Sequence, residues 1–269
     1  MLPEHIIDRK IAERRGALVG HNRVFQFSYQ RRDYFAKFYR GEEGFQRETY
    51  ALENFSRADI PVPEIVFKSS SYGEAAERLV VTERLKGTML DQVKQNRNKY
   101  CHEIGRLLSL IHAIRIPPFI EPLVIPTREI AGDIIRLAAA MNIEHPLLAC
   151  VEQTLEELNA STDKVLLHGD YIGRHIFVFN EEVTGIIDWE CLRVARREID
   201  LAHCCAFLDI FGQPNEVEKF IEGYGQPFDE RLNNNFRLYY KIIFAHYWKR
   251  LEKEHEHQRA LHAIRTHAV

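Results

Sequence analysis

At 269 residues the chain is long enough for one large domain or two modest lobes, and 45% apolar with 28% charged residues is the balance of a globular protein, not of a disordered or fibrous one. The formal charge is −3 with basic residues scattered among acidic ones, which leaves no electrostatic footprint for nucleic acid. No run reaches the roughly 18 apolar residues of a membrane span and the first fifteen residues are too charged for a signal peptide, so no membrane partner and a cytoplasmic location are expected.

In chain order, residues 24–29 alternate apolar and polar side chains, 30–33 are turn-like and 34–39 again favour a strand, which predicts a β-hairpin. Past Gly41 the spacing of Phe45, Leu52 and Phe55 predicts a helix with one apolar face, ending near Arg57. Pro61 and Pro63 cannot continue it, because proline lacks the amide donor and biases the preceding residue to extended conformations. Residues 64–68 and 79–82 then read as strands separated by a loop at 69–73. Beyond Gly87 the apolar spacing is helical at 100–114, 130–141, 147–158 and 234–257, with one β-rich block at 165–188. This asymmetry predicts an α+β chain of two lobes, a small β-rich N-terminal lobe at 1–85 and a larger helical lobe at 86–269, joined near 83–87.

The five cysteines, Cys101, Cys150, Cys191, Cys204 and Cys205, lack C-x-x-C spacing and are expected as buried free thiols. His255 and His257 lie in an alternating charged stretch that reads as a solvated helix face in preference to a metal tract.

Chemistry begins with Glu48, which shares the buried helix face with Phe45, Leu52 and Phe55. A carboxylate there costs several kcal/mol in desolvation unless a cation meets it, and Lys37 stands on the strand just before. A buried Lys37–Glu48 pair would answer both needs. The bland alternative, an edge-strand lysine and a surface glutamate, fits the two residues taken alone. Further on, His168-Gly169-Asp170 falls in a loop after one short strand, His175 at the mouth of the next, and Asp188 at the end of its hairpin partner. Two carboxylates and an imidazole could hold a divalent cation, and on these residues alone a metal-dependent hydrolase fits almost as well as any transferase.

His168-Gly169-Asp170, followed by His175 and then by Ile186-Ile187-Asp188-Trp189, resembles the aminoglycoside phosphotransferase family, whose pattern is H-G-D-x-x-x-x-N and then I-I-D-W/F. Lys37, Glu48, the stretch Ile60-Pro61-Val62-Pro63-Glu64, the stretch from Thr82 to Gly87 and the run from Glu198 to Ala202 follow in the family's order, so the resemblance covers about residues 19–207. Residues 44–90 are most similar to the hygromycin phosphotransferase branch. The resemblance implies a two-lobed protein-kinase-like fold and transfer of the γ-phosphate of ATP or GTP, with magnesium or manganese, to a hydroxyl of a small molecule. It implies Asp170 as the catalytic aspartate, Asp188 and His175 as metal ligands, Lys37 on the phosphates with Glu48 orienting it, and Thr82, Glu83 and Leu85 as the adenine-facing hinge. Asp200 corresponds to the aspartate that braces the catalytic loop.

Three departures stand out. His175 replaces an asparagine, the family's G-D-P reads Ala195-Arg196-Arg197, and the nucleotide loop offers only Gly16 and Gly20, so phosphate cradling falls to the amides of Gly20-His21-Asn22-Arg23. The expected acceptor is an aminoglycoside-like antibiotic, with Glu190, Glu198 and Glu222 as acidic candidates for a polycationic sugar. A metabolic alcohol of the choline, homoserine or ketosamine type and an inactive nucleotide-binding module are the alternatives.

Overall fold

The computed structural model describes residues 4–12, 18–19, 22–74, 76–95 and 97–268. The elements run, in chain order, α1 (Glu4–Ala12), β1 (Leu18–Val19), β2 (Asn22–Tyr29), β3 (Arg32–Tyr39), α2 (Glu42–Asn54), β4 (Ile65–Tyr72), β5 (Glu77–Glu83), β6 (Thr88–Met89), α3 (Asn98–Ala113), α4 (Thr127–Ala140) and α5 (Val151–Ala160). They continue with β7 (Val165–Leu167), β8 (Ile176–Phe179), β9 (Glu182–Ile186), β10 (Arg193–Ala195), α6 (Glu198–Phe211), α7 (Glu216–Tyr224), α8 (Glu230–Arg250) and α9 (Glu254–Arg265). The chain divides into two compact units, Met1–Thr88 with His175–Leu192, and Met89–Arg174 with Arg193–Val269. A single cut at 85/86 assigns the β8–β9 hairpin to the helical part, whereas its backbone joins the sheet unit: Ile186 N–H donates to the Pro61 carbonyl at 2.8 Å.

The first unit is built on an antiparallel sheet of order β1-β2-β3-β5-β4. Its central hairpin closes through Gln30 and Arg31, both with positive φ (48° and 62°), as a two-residue turn matched to strand twist requires. Strand alternation sends Phe25, Phe27, Tyr34, Ala36 and Phe38 into one core with Ile7, Tyr72, Leu79 and Val81. It turns Lys37 to the opposite face. α2 buries Glu48, Thr49, Ala51 and Leu52 and runs into a short 3-10 turn, Phe55–Ala58, that stops at Asp59 with φ 56°. β4 continues through 69–72, residues whose serines read as a loop. It is an edge strand with one solvated face, so its polar residues need no apolar alternation. Gly87, at φ 96°, passes so close to the hairpin that a β-carbon would lie 2.1 Å from the Val178 carbonyl oxygen. Only glycine fits there.

In the second unit β7 and β10 pair antiparallel, with Leu167 opposite Arg193. α4, α5, α6, α8 and α9 contribute to one apolar core that includes Ile134, Leu155, Phe207, Tyr239, Ile242 and Leu261. The helical stretch expected at 234–257 is two helices. They break at residues 251–253, where Glu252 takes φ 56°. His257 is therefore not on a solvated face: it is buried, and its Nδ1 lies 2.9 Å from the Ala245 carbonyl. Cys101, Cys204 and Cys205 are buried as expected, but Cys150 and Cys191 are only half-buried. Among the described residues no helix is long and apolar enough to cross a membrane.

Candidate active site

Within the first unit, Lys37 is the centre of a carboxylate cluster. Its Nζ lies 2.6 Å from Glu48 Oε2, 2.6 Å from Asp188 Oδ1 and 2.9 Å from Glu190 Oε2. β3 delivers the lysine, α2 the first carboxylate, and the turn after β9 the other two. Burial pulls the Lys37 ammonium down, but the charges of Glu48, Asp188 and Glu190 outweigh it and hold the group well above the ordinary lysine range. For Glu48, burial pushes the carboxyl up harder than Lys37 pulls it down. The buried pair inferred from helix spacing is present.

Asp188 sits in the left-handed region, φ 69° and ψ 54°, a conformation that costs a non-glycine residue about 1–3 kcal/mol and concentrates at functional sites. The surroundings hold it there. Trp189 is fully buried, donates its indole N–H to the Ile186 carbonyl at 2.9 Å and packs edge-on against Phe55 with centroids 4.8 Å apart. The Ile187 amide donates to the His175 carbonyl at 2.9 Å, and His175 Nε2 lies 3.4 Å from Asp188 Oδ2. The two proposed metal ligands are thus neighbours. Carboxylate oxygens of Glu48, Asp188 and Glu190 also fall within 4.8 Å of one another. Against the single positive charge of Lys37 these three leave a formal charge of −2, an acidic surplus beside His175. The imidazole nitrogen of His175 and the carboxylate of Asp188 are donors that suit a divalent cation.

Of the residues expected at the hinge, Thr82 stands opposite Phe35 and Ile65 in the sheet. The Glu83 amide donates to the Glu64 carbonyl at 3.2 Å and its carboxylate pairs with Arg32. Leu85 packs onto β9 at Gly185, where a β-carbon would meet its Cδ1 at 2.2 Å. Of the residues expected to cradle phosphate, Gly16, Gly20 and His21 lie outside the described residues. Asn22 is buried; its Oδ1 accepts from the Arg40 amide at 3.2 Å and its Nδ2 donates to Glu190.

The second unit carries His168-Gly169-Asp170. After β7 the chain turns at Gly169, φ 83°, and the buried Asp200 carboxylate accepts the His168 amide at 2.7 Å and the Gly169 amide at 2.9 Å. Asp200 also meets His112 Nε2 at 3.4 Å, and His112 Nδ1 meets the Tyr224 hydroxyl at 2.9 Å. Tyr171 anchors the same loop by donating to the Ile104 carbonyl at 2.8 Å. Asp170 keeps its side chain 32% exposed, with His203 Nε2 at 3.7 Å from its Oδ1. The His203 ring is stacked on Tyr240 at 4.3 Å and on Phe244 at 5.3 Å.

The acidic acceptor candidates come out differently. Glu190 belongs to the Lys37 cluster. Glu198 is a correction to the sequence reading: its side chain is 1% exposed, gripped by Arg196 at 2.8 and 2.9 Å and by the Asp229 amide at 2.8 Å. These bonds overcome the upward push of burial and hold its carboxyl low. It braces the chain where the family's G-D-P is replaced. Glu222 is exposed. His112 and His203 are not marked by the sequence, since a single histidine on a helix carries no spacing signal.

Residues 18–233 match the profile of the phosphotransferase enzyme family. Among curated proteins no sequence matches the chain. Among solved structures, a thermostable mutant of aminoglycoside phosphotransferase APH(4)-Ia, in ternary complex with ADP and hygromycin B, is similar at 16% identity and TM-score 0.62, over 99% of this chain and 98% of that one. Spectinomycin phosphotransferase APH(9)-Ia, in complex with ADP and spectinomycin, is similar at 18% identity and TM-score 0.63, over 94% and 86%. Macrolide 2′-phosphotransferase MphH from Brachybacterium faecium is similar at 16% identity and TM-score 0.57, over 99% and 100%. The α+β chain has the kinase-like fold of these enzymes.

Proposed function

Because the chain belongs to the phosphotransferase enzyme family, we propose that it moves the γ-phosphate of ATP to a hydroxyl of a small molecule, with an aminoglycoside-like antibiotic as the acceptor. The observation that carries the reading is Lys37, held 2.6 Å from both Glu48 and Asp188. Phosphoryl transfer asks little covalent chemistry of the protein and much positioning and charge neutralisation. Lys37 supplies a fixed positive charge for the α- and β-phosphates, and Glu48 keeps it aimed. His175 and Asp188 would hold the divalent cation, which when bound supplies the positive charge that phosphate oxygens need. Asp170 orients the acceptor hydroxyl and takes its proton as the bond to phosphorus forms. Asp200 fixes the loop from which Asp170 acts.

The acceptor class rests on the antibiotics seen with the similar solved enzymes, hygromycin B and spectinomycin. Glu190 and Glu198 lend it no support, being taken up by Lys37 and Arg196. The test is an ADP-release screen with magnesium ATP against hygromycin B, spectinomycin, other aminoglycosides and small metabolic alcohols. ADP release that depends on one of these acceptors supports the reading; release that no acceptor stimulates would contradict it.

A further inference from the structure

An ammonium has three N–H donors. On Lys37 they face Glu48, Asp188 and Glu190, at 2.6, 2.6 and 2.9 Å. A phosphate oxygen that reaches this lysine must therefore displace a carboxylate. Glu48 is fixed in the buried face of α2, its side chain 9% exposed, and Asp188 is paired with His175. Glu190 makes the longest of the three contacts and rides on the short turn Trp189–Cys191. It is the one able to leave.

Glu190 is also held from a second side. Asn22, buried on β2 and itself anchored by the Arg40 amide, donates its Nδ2 to the same Oε2 that meets Lys37. Two groups of the sheet thus grip a partly exposed carboxylate beside the lysine that needs a phosphate. We propose that Glu190 is a built-in competitor for Lys37: it occupies the hydrogen-bonding position that a phosphate oxygen of the nucleotide takes, and so sets nucleotide affinity. The proposal rests on reading Lys37 as the phosphate-binding lysine. Glu190 and the phosphates carry like charge, so the competition is strongest for metal-free nucleotide and weakens when a divalent cation neutralises part of that charge.

The probe is ADP, titrated calorimetrically into the full chain in EDTA and again in magnesium, for the native protein, Glu190→Gln and Asn22→Ala. Glu190→Gln keeps the size and removes the charge. It should tighten metal-free ADP roughly fivefold, the upper end for a partly exposed ion pair, with a smaller gain in magnesium. Asn22→Ala, which loosens the tether and leaves the charge, should move affinity the same way by less; it also serves if Glu190→Gln fails to fold. Unchanged ADP affinity in both variants overturns the competitor role. So does weaker magnesium ADP binding by Glu190→Gln with metal-free binding unaltered, which would make Glu190 a cation ligand. If neither the native protein nor a variant binds ADP in either buffer, the reading of Lys37 falls with it.

Discussion

Replacing Asp200 should unfasten the His168-Gly169-Asp170 loop, and the size of the effect follows from what its carboxylate holds. The group is fully buried and accepts the amides of His168 and Gly169 at 2.7 and 2.9 Å, besides meeting His112 at 3.4 Å. Asp200→Ala strips the partner from two amides at once. A donor left unsatisfied in a buried setting costs about 1–3 kcal/mol, so the two together cost about 2–6 kcal/mol, a large share of the roughly 5–15 kcal/mol that holds a typical protein folded. Asp200→Asn keeps one acceptor oxygen and should cost about half as much. The assay is urea unfolding with the slope checked for constancy, paired with amide hydrogen exchange at His168 and Gly169, which should speed up in both variants. A loss below about 1 kcal/mol for Asp200→Ala would refute the bracing role. A pH dependence accompanies it. Burial pushes the Asp200 carboxyl up, but His112, His168 and the Gly169 amide pull harder and the net shift is downward. The folded state therefore binds fewer protons than the unfolded chain near the aspartate range, so this stabilisation is complete above the unfolded pKa of about 3.9 and fades as pH falls below it.

Lys37→Ala should weaken ATP binding by about thirtyfold or more, since truncating one partner of a buried, hydrogen-bonded charge pair costs about 2–5 kcal/mol; an isothermal titration matching the native protein would count against the site. Glu48→Ala, acting through the lysine, should cost less, and a silent result there would remove the pair from the account. Gly105→Ala would place a β-carbon 2.0 Å from the Phe220 carbonyl oxygen and 2.7 Å from the Tyr224 nitrogen, forcing α3 from α7; calorimetry should show a loss of about 1–3 kcal/mol or more, and an unchanged melting temperature would deny the close packing. Buried His267 has its pKa drawn down to about 4, by burial first and then by the charges of Lys241 and Arg237. Between an unfolded value of 6.5 and that depressed one the unfolded chain binds the proton better, so stability should fall as pH drops through this window. His267→Gln should flatten that slope, and parallel curves would show that His267 does not titrate on unfolding.

The Lys37–Glu48 pair was legible because helix spacing put a carboxylate on an apolar face, and burial demands a partner for it. The pairing of Glu190 with Lys37 is not legible, for the complementary reason. Nothing in the local pattern says that the second residue after Asp188 returns to a lysine on β3, since that pairing spans most of the chain. α6 carries no helical signal in the sequence because eleven of its fourteen residues are buried, and a helix covered on all sides has no amphipathic period to read. The edge strand β4 and the break at Glu252 escaped similarly: solvated edges tolerate polar runs, and a left-handed non-glycine residue leaves little mark in the sequence. His203 and His112 became visible only when helices remote in sequence brought them to Asp170 and Asp200.

The central claim is that Asp170 acts on an acceptor hydroxyl while Lys37, His175 and Asp188 serve the nucleotide. It is tested most directly by following the γ-phosphoryl group of labelled ATP onto the acceptor, side by side in the native protein and in Asp170→Ala, with ADP affinity measured on both. Loss of general-base positioning is worth about 10²–10⁴ in rate, so Asp170→Ala should lose transfer by that factor and keep ADP affinity within a few-fold. Label on the acceptor at the native rate in Asp170→Ala would contradict the account.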